Sequence, residues 1–234
     1  MTLPDDRVQQ LVEQGQPVLC LDTCSLLDLL RDPTREKTYA TDLEHAMGLL
    51  ERIESGVLAG VVAEQVQIEF HRHVDTVAAE ARERMSQLLD TIDRVEAIAV
   101  LYGAAGSLDC AHWRDHPQRA RALAERWLAA RTPAASSPAI VGRAWARVSH
   151  GRTPATQSKN SMEDCVVIET YLDAAVQLRA AGLTHPIVFA SSNIRDYTDR
   201  AQGSALRADL AAEFDALGMH YAVNYGAARH WLGV

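Results

Sequence analysis

Short runs of apolar residues alternate with longer amphipathic stretches along this chain. The apolar runs occupy residues 18–21, 57–62, 186–191 and 219–223, and the stretches between them carry apolar residues at spacings of three and four. Short apolar runs are typical of strands buried on both faces, and spacings of three and four are typical of helices. Strands that alternate with helices form a parallel sheet covered by helices. The sequence therefore predicts an α/β fold, a three-layer α/β/α sandwich around a central parallel sheet.

The predicted sheet has four or five strands. Four correspond to the apolar runs, and the fifth is predicted at residues 97–101, where alanine and aliphatic residues alternate at the end of a long amphipathic helix that begins near residue 63. Residues 132–138 are rich in proline, alanine and serine, which predicts an exposed connector.

We expect one domain over residues 1–234, with a basic, mostly helical insertion at about residues 103–157. The chain has a net charge of -8, yet residues 111–152 hold eight arginines and only two acids. Such a segment is either a surface that contacts phosphate groups or a solvated helical face whose arginine stems cover apolar surface. The sequence alone favours neither interpretation.

The chain lacks the sequence signals of membrane insertion and secretion. No apolar run approaches the roughly 20 residues that span a bilayer, and the first 16 residues are polar and acidic, unlike a signal peptide. The four cysteines include no CxxC pair, which favours free thiols over disulfides or a zinc site. We therefore expect a cytoplasmic protein without a membrane partner.

Four acids follow predicted strands or begin predicted helices: Asp22, Glu69, Asp164 and Asp196. Each has a structural alternative, because an acid at such a position often caps a helix or pairs with a basic residue one turn away. However, a parallel sheet brings the carboxyl ends of its strands to one edge, where α/β proteins place their sites. The four together predict a shared carboxylate site.

Four motifs, in this order, resemble those of the PIN domain, a family of metal-dependent nucleases with a compact parallel α/β/α fold. They are LDTCSLL at 21–27, VQIEF at 66–70, EDCVVI at 163–168 and FASSNIRDY at 189–197, and the resemblance covers about residues 17–75 and 158–225. Two positions depart from the family pattern. Cys24 stands where asparagine or serine is commoner, and Asn193 stands where some members have aspartate.

The resemblance implies a nuclease that uses Mg²⁺ or Mn²⁺ to hydrolyse phosphodiester bonds of single-stranded RNA. Hard cations of this kind prefer carboxylate oxygens. We expect Asp22 and Asp164 to be direct metal ligands and Glu69 to be a ligand or a water-orienting base. Asp196 is expected to bind a second metal ion or to lie in the outer shell.

Further residues are expected to support this site, namely Thr23, Ser25, Asn193 and Glu163. Thr23 or Ser25 would orient Asp22 by hydrogen bonding, and Asn193 would contact a metal-bound water or the substrate. Successive helical residues point about 100° apart, so only one of Glu163 and Asp164 faces the site squarely. Asp164 is favoured, because it continues the apolar face of its helix.

Basic residues are predicted to contact the RNA phosphates: Lys159 and Arg195 near the acids, and Arg121, Arg126 and Arg143 in the insertion. Besides RNA, the expected partners are an antitoxin-like protein that covers the site and a second copy of the chain in a homodimer. The alternative function is a catalytically silent PIN-like module that binds RNA or a protein partner.

Overall fold

The computed structural model describes residues 2–35, 38–155, 161–199 and 203–234. Its centre is a five-stranded sheet in the order β3-β2-β1-β4-β5, in which every pairing is parallel. The strands are β1 (Val18–Leu21), β2 (Ala59–Ala63), β3 (Thr132–Ala134), β4 (Ile187–Ala190) and β5 (Met219–Ala222). The predicted α/β fold with a parallel sheet is therefore confirmed.

Helices connect and cover the strands. Before and between β1 and β2 lie α1 (Asp5–Gln14), α2 (Thr23–Asp28) and α3 (Ala40–Glu54). The long α4 (Glu64–Leu101), a 3₁₀ turn (Ala111–Trp113) and α5 (His116–Ala129) lead to β3, and α6 (Pro138–Ser149) and α7 (Met162–Ala180) lead to β4. The chain then forms α8 (Ile194–Tyr197), α9 (Ala208–Leu217) and, after β5, α10 (Tyr225–Leu232).

The strand order reverses direction between β1 and β4. The chain moves outward from β1 through β2 to β3, then returns through α7 to pair β4 with the other side of β1. Because such crossovers are right-handed, the reversal puts helices on both faces. α10 packs on β1, β4 and β5 and against α3, whereas α7 packs on β2 and β3 and against α6 and α9. The crevice at the carboxyl ends of β1 and β4 is where such sheets bind ligands.

The predicted fifth strand was placed wrongly. Residues 97–101 are the last turn of α4, because alanine favours helix and the first glycine comes only at Gly103. The fifth strand is instead β3, inside the segment predicted to be a connector. Pro133 is compatible with this strand because β3 lies at the edge of the sheet. Part of the predicted insertion therefore belongs to the central sheet.

A buried tyrosine joins the carboxyl ends of the two strands that carry the first acids. The Tyr171 hydroxyl of α7 donates to the Leu21 carbonyl at the end of β1 and accepts from the Ala63 N–H at the end of β2, 3.0 Å away. Its ring packs beside Phe189 of β4. Both rings are fully buried, so this edge of the sheet rests on a packed aromatic layer.

None of the described helices is both long enough and apolar enough to cross a membrane.

Candidate active site

Asp22 lies directly after β1, at the point where the strand order reverses. Its side chain is only 3% exposed, and three donors hold it. The Thr23 N–H donates to Oδ1 over 2.8 Å, while the Ser191 hydroxyl and the Cys24 thiol donate to Oδ2 over 2.5 and 2.8 Å. The first of these bonds caps α2, so the capping alternative is correct in part. The other two donors hold Oδ2, the oxygen that the cap does not use.

The Thr23 side chain connects Asp22 with Glu69. Its hydroxyl donates to Glu69 Oε2 over 2.8 Å while its backbone N–H donates to Asp22. The Gln65 amide, one turn earlier on α4, donates to Glu69 Oε1 over 3.1 Å. Glu69 is therefore not held by an ion pair with a basic neighbour, which was its structural alternative. Instead, Thr23 and Gln65 fix it toward Asp22.

Ser191 and Asn193 extend the same network to Asp196. Ser191, fully buried after β4, accepts from the Asn193 N–H over 3.1 Å while it donates to Asp22. The Asn193 amide group donates to Asp196 Oδ2 over 2.8 Å. A continuous path of hydrogen bonds therefore runs from Glu69 through Asp22 to Asp196. The structure brings these three predicted acids into one network.

Asp164 lies in the first turn of α7 and is half-buried, whereas its neighbour Glu163 is exposed. Burial raises the pKa of the Tyr197 hydroxyl well above its usual value, and the charges of Asp22 and Asp164 raise it further. Asp164 and Asp22 therefore both lie within electrostatic reach of Tyr197. Glu163 turns outward to Arg72, with which it forms an ion pair of 2.9 Å.

The acids destabilise one another's charges. Burial raises the pKa of the Asp22 carboxyl, and the charge of Asp196 adds to this, although the three hydrogen bonds to Asp22 lower it. Burial likewise raises the pKa of Glu69, as do the charges of Asp22 and Glu163, while its two hydrogen bonds lower it. A cation between these carboxylates would relieve both the desolvation and the repulsion.

The donor chemistry of the site fits a hard divalent cation. Within the described part of the chain, Asp22 and Glu69 are held by neutral donors alone, so neither has a cationic partner there. The Tyr197 hydroxyl is fully buried and has no hydrogen-bond partner among those residues, which leaves one more oxygen donor beside the acids. Carboxylate oxygens are the side-chain ligands that Mg²⁺ and Mn²⁺ prefer.

The network joins the carboxylates through other side chains, and they do not form a metal-binding cluster among the described residues. Across residues 2–35, 38–155, 161–199 and 203–234, no group of three histidine, cysteine or acidic side chains has the geometry to hold a metal ion. Like charges favour separation in a buried setting until a cation lies between them.

Six of the eight arginines of the basic segment form ion pairs with acids: Arg119, Arg121, Arg126, Arg143, Arg147 and Arg152. Arg121 pairs with Asp75 and Glu125, Arg126 with Glu54, Arg143 with Glu169 and Asp173, and Arg147 with Glu169 and Glu213. Glu54 ends α3, which precedes β2, so the pair with Arg126 lies at the opposite end of the sheet from Asp22. Any contact of these arginines with phosphate would compete with ion pairs already formed.

Two other predicted substrate contacts have different outcomes. Arg195 is exposed on α8, next to Asp196, and its contact with substrate stays a prediction. Lys159 lies outside the described residues.

Ser25 was expected to orient Asp22. It is buried, but its hydroxyl donates to the Ala190 carbonyl over 3.2 Å, so it joins β1 to β4 and does not orient Asp22.

Three residues of the site were missed in the sequence. Ser191 and Cys24 supply two of the three donors to Asp22, and Tyr197 supplies the unpaired hydroxyl. Ser191 had a usable signal, since it is the first polar residue after β4, in register with Asp22 after β1. Tyr197 gave none, because an aromatic residue in a short helix is most often core.

No protein-family model matches this chain, and comparisons with curated proteins and with solved structures likewise found no match. The resemblance to the PIN domain therefore rests on the four sequence motifs.

Proposed function

We propose that this chain is a PIN-like nuclease that hydrolyses phosphodiester bonds of single-stranded RNA with the help of Mg²⁺ or Mn²⁺. The observation that carries the proposal is the hydrogen-bonded path from Glu69 through Asp22 to Asp196, placed where the strand order reverses. The choice of RNA comes from the resemblance, since the motifs point to RNA-cleaving members.

Asp22 and Asp164 are the proposed ligands, with Asp196 as a further ligand or outer-shell acid. When bound, the cation would lower the pKa of a water and stabilise the charge that develops at phosphorus. Thr23, Ser191 and Cys24 hold the Asp22 carboxylate in one orientation, which spares the cost of ordering it when the cation binds.

Glu69 is the proposed base. Its pKa is raised by burial and by the neighbouring acids, which brings a carboxylate closer to the range in which it can accept a proton from water. Thr23 and Gln65 each occupy one of its two oxygens, and each oxygen keeps a second lone pair for a water molecule.

A second candidate is the catalytically silent module that binds RNA or a protein partner. It is favoured by one observation: the described side chains form no group of three metal ligands as they stand. The two candidates differ in what a divalent cation does to the protein.

The test combines cleavage with direct metal binding. Labelled single-stranded RNA is incubated with wild type, Asp22→Asn and Glu69→Gln in Mn²⁺, Mg²⁺ or EDTA, and Mn²⁺ binding is measured by calorimetry without RNA. We expect Glu69→Gln to slow cleavage about 10²–10⁴-fold and Asp22→Asn to weaken Mn²⁺ binding as well. Glu54→Gln, at the far end of the sheet, is the matched control and should behave as wild type.

Wild type that binds Mn²⁺ at Asp22 but cleaves no RNA would favour the silent module. Wild type that neither binds Mn²⁺ nor cleaves would reject the metal site altogether.

A further inference from the structure

An ion pair at the edge of the candidate active site joins two of the helices that carry its acids. The Arg72 Nη1 of α4 donates to both carboxylate oxygens of Glu163 of α7, over 2.9 and 3.1 Å. Arg72 follows Glu69 by three residues on α4, and Glu163 directly precedes Asp164 in the first turn of α7. The pair therefore places a cation beside two of the acids assigned to the site.

Arg72 lies beside Glu69 without pairing with it. Residues three apart on a helix are neighbours on its surface, with Cβ atoms about 5–6 Å apart. Glu163 is near Glu69 as well, since burial raises the pKa of the Glu69 carboxyl and the charges of Asp22 and Glu163 raise it further. Within the described part of the chain, however, the Arg72 guanidinium donates to Glu163 and not to Glu69. Glu163 thus holds the arginine at the edge of the site and leaves the Glu69 carboxylate to its neutral donors.

The ion pair uses only part of the Arg72 guanidinium. Both hydrogen bonds to Glu163 come from Nη1, whereas an arginine side chain carries five N–H donors in a planar fork. Among the residues that the structure describes, none accepts a hydrogen bond from Nε or Nη2 of Arg72. The Arg72 and Glu163 side chains are 50% and 51% exposed, so a ligand can approach the pair from solvent. Adjacent N–H donors of a guanidinium match two oxygens of one phosphate group.

Arg72 differs from the arginines of the basic segment that the sequence predicted to contact phosphate. Arg121 and Arg143 each pair with two acids, and Arg126 pairs with an acid at the opposite end of the sheet from the site. Among the described residues, Arg72 has one acidic partner, and it stands next to the proposed base Glu69. A strand that enters the site brings phosphates close to Arg72, because each nucleotide carries one.

We propose that Arg72 binds a phosphate group of the RNA strand through Nε and Nη2 while Nη1 stays on Glu163. The identity of the strand rests on the proposed function. Hydrogen bonds between ionised groups are about twice as strong as neutral ones, and a guanidinium already held by Glu163 loses less freedom when the phosphate binds. The positive charge of Arg72 also offsets the repulsion between the phosphate and the nearby acids.

The test is the binding of labelled single-stranded RNA, measured by fluorescence anisotropy in EDTA at several KCl concentrations. We expect Arg72→Gln to raise the dissociation constant about 10-fold and to reduce the salt slope of binding by about 0.7, the value for one phosphate contact. Arg94→Gln is the matched control, because Arg94 is an exposed arginine of the same helix, about 33 Å farther along the helix axis. An Arg72→Gln chain that binds RNA as the control does would overturn the inference, and so would a wild type that binds no RNA.

A lysine at position 72 separates geometry from charge. Lysine keeps the positive charge but has no planar edge that binds two oxygens. Arg72→Lys should therefore keep the salt slope of wild type and still raise the dissociation constant about threefold or more. Wild-type affinity in Arg72→Lys would overturn the proposed contact through Nε and Nη2.

Cleavage in Mn²⁺ is measured on the same variants, so that the inference and the proposed function can fail separately. A wild type that binds RNA through Arg72 and never cleaves it would reject the nuclease and retain the inference. Metal-dependent cleavage by wild type, together with unchanged RNA binding by Arg72→Gln, would retain the nuclease and reject the inference.

Discussion

Ser191 is a small side chain whose removal should disturb the whole acid network. Ser191→Ala deletes the hydroxyl that donates to Asp22 over 2.5 Å and accepts from the Asn193 N–H over 3.1 Å. The serine is fully buried, so water cannot readily replace either bond. Asp22 keeps two of its three donors, and the path to Asp196 is cut.

The size of the loss should depend on the charge of Asp22. A hydrogen bond to a charged group contributes about 1.5–3 kcal/mol, and a neutral one about 0.5–1.5 kcal/mol. We therefore expect Ser191→Ala to lower the free energy of unfolding by about 2–4 kcal/mol at neutral pH, including the orphaned Asn193 N–H. Once Asp22 is protonated in the folded state, the loss should be smaller by about 1–1.5 kcal/mol.

The direction of the pH effect follows from the raised pKa of Asp22. Its folded pKa lies above the ordinary value of 3.8, so between the two values the folded chain binds more protons than the unfolded chain. Stability from this group therefore falls as pH rises through that window. Ser191→Ala removes a bond that lowers the folded pKa, so in the variant the window should extend to higher pH.

The assay is urea unfolding in EDTA at several pH values from neutral downward. Ser25→Ala is the matched control, because the Ser25 hydroxyl is also buried but donates to a neutral carbonyl, that of Ala190, over 3.2 Å. Ser25→Ala should lower the free energy of unfolding by about 1 kcal/mol at every pH. Equal losses for the two variants, or a loss for Ser191→Ala that is independent of pH, would refute the reasoning.

Two other changes test the packing around the site. Arg147→Met should lower the free energy of unfolding by about 3 kcal/mol, because Glu169 and Glu213 lose their buried partner and keep only the more exposed Arg143 and Arg152. Urea unfolding measures this loss. The exposed Arg126→Met is the control and should change nothing, and a loss for Arg147→Met no larger than that of the control would contradict the prediction. Tyr171→Phe should lower the free energy of unfolding by about 1–3 kcal/mol, because the Tyr171 hydroxyl bridges the ends of β1 and β2. Thermal unfolding measures this change, and a melting temperature equal to that of wild type would contradict the prediction.

Local patterns were enough to predict most of the fold. Four apolar runs became β1, β2, β4 and β5, because a strand buried on both faces leaves an uninterrupted apolar signal. β3 has only three residues, and Pro133 among them carries no such signal. Its position depends on pairing with β2, a contact over a long sequence separation, so the fifth strand was sought in the helix at residues 97–101.

In the site, too, sequence patterns predicted the acids but not the partners of the arginines. The positions of Asp22, Glu69 and Asp196 followed from the geometry of a parallel sheet, which brings strand ends together whatever the side chains are. The positive charge of residues 111–152, in contrast, is balanced by acids far away in the sequence, such as Asp75 and Glu54. Counting charges along a segment cannot reveal partners that only the fold supplies.

The short edge strand β3 also bears on how copies of this chain can associate. An open strand edge offers free N–H and C=O groups on which another chain can add a strand and start aggregation. Pro133 removes one N–H from that edge, and the Ala135 N–H donates to the Thr2 carbonyl, so the amino terminus closes the next position. Pro133 and the amino terminus therefore make it harder for a neighbouring molecule to extend the sheet by adding a strand on this side.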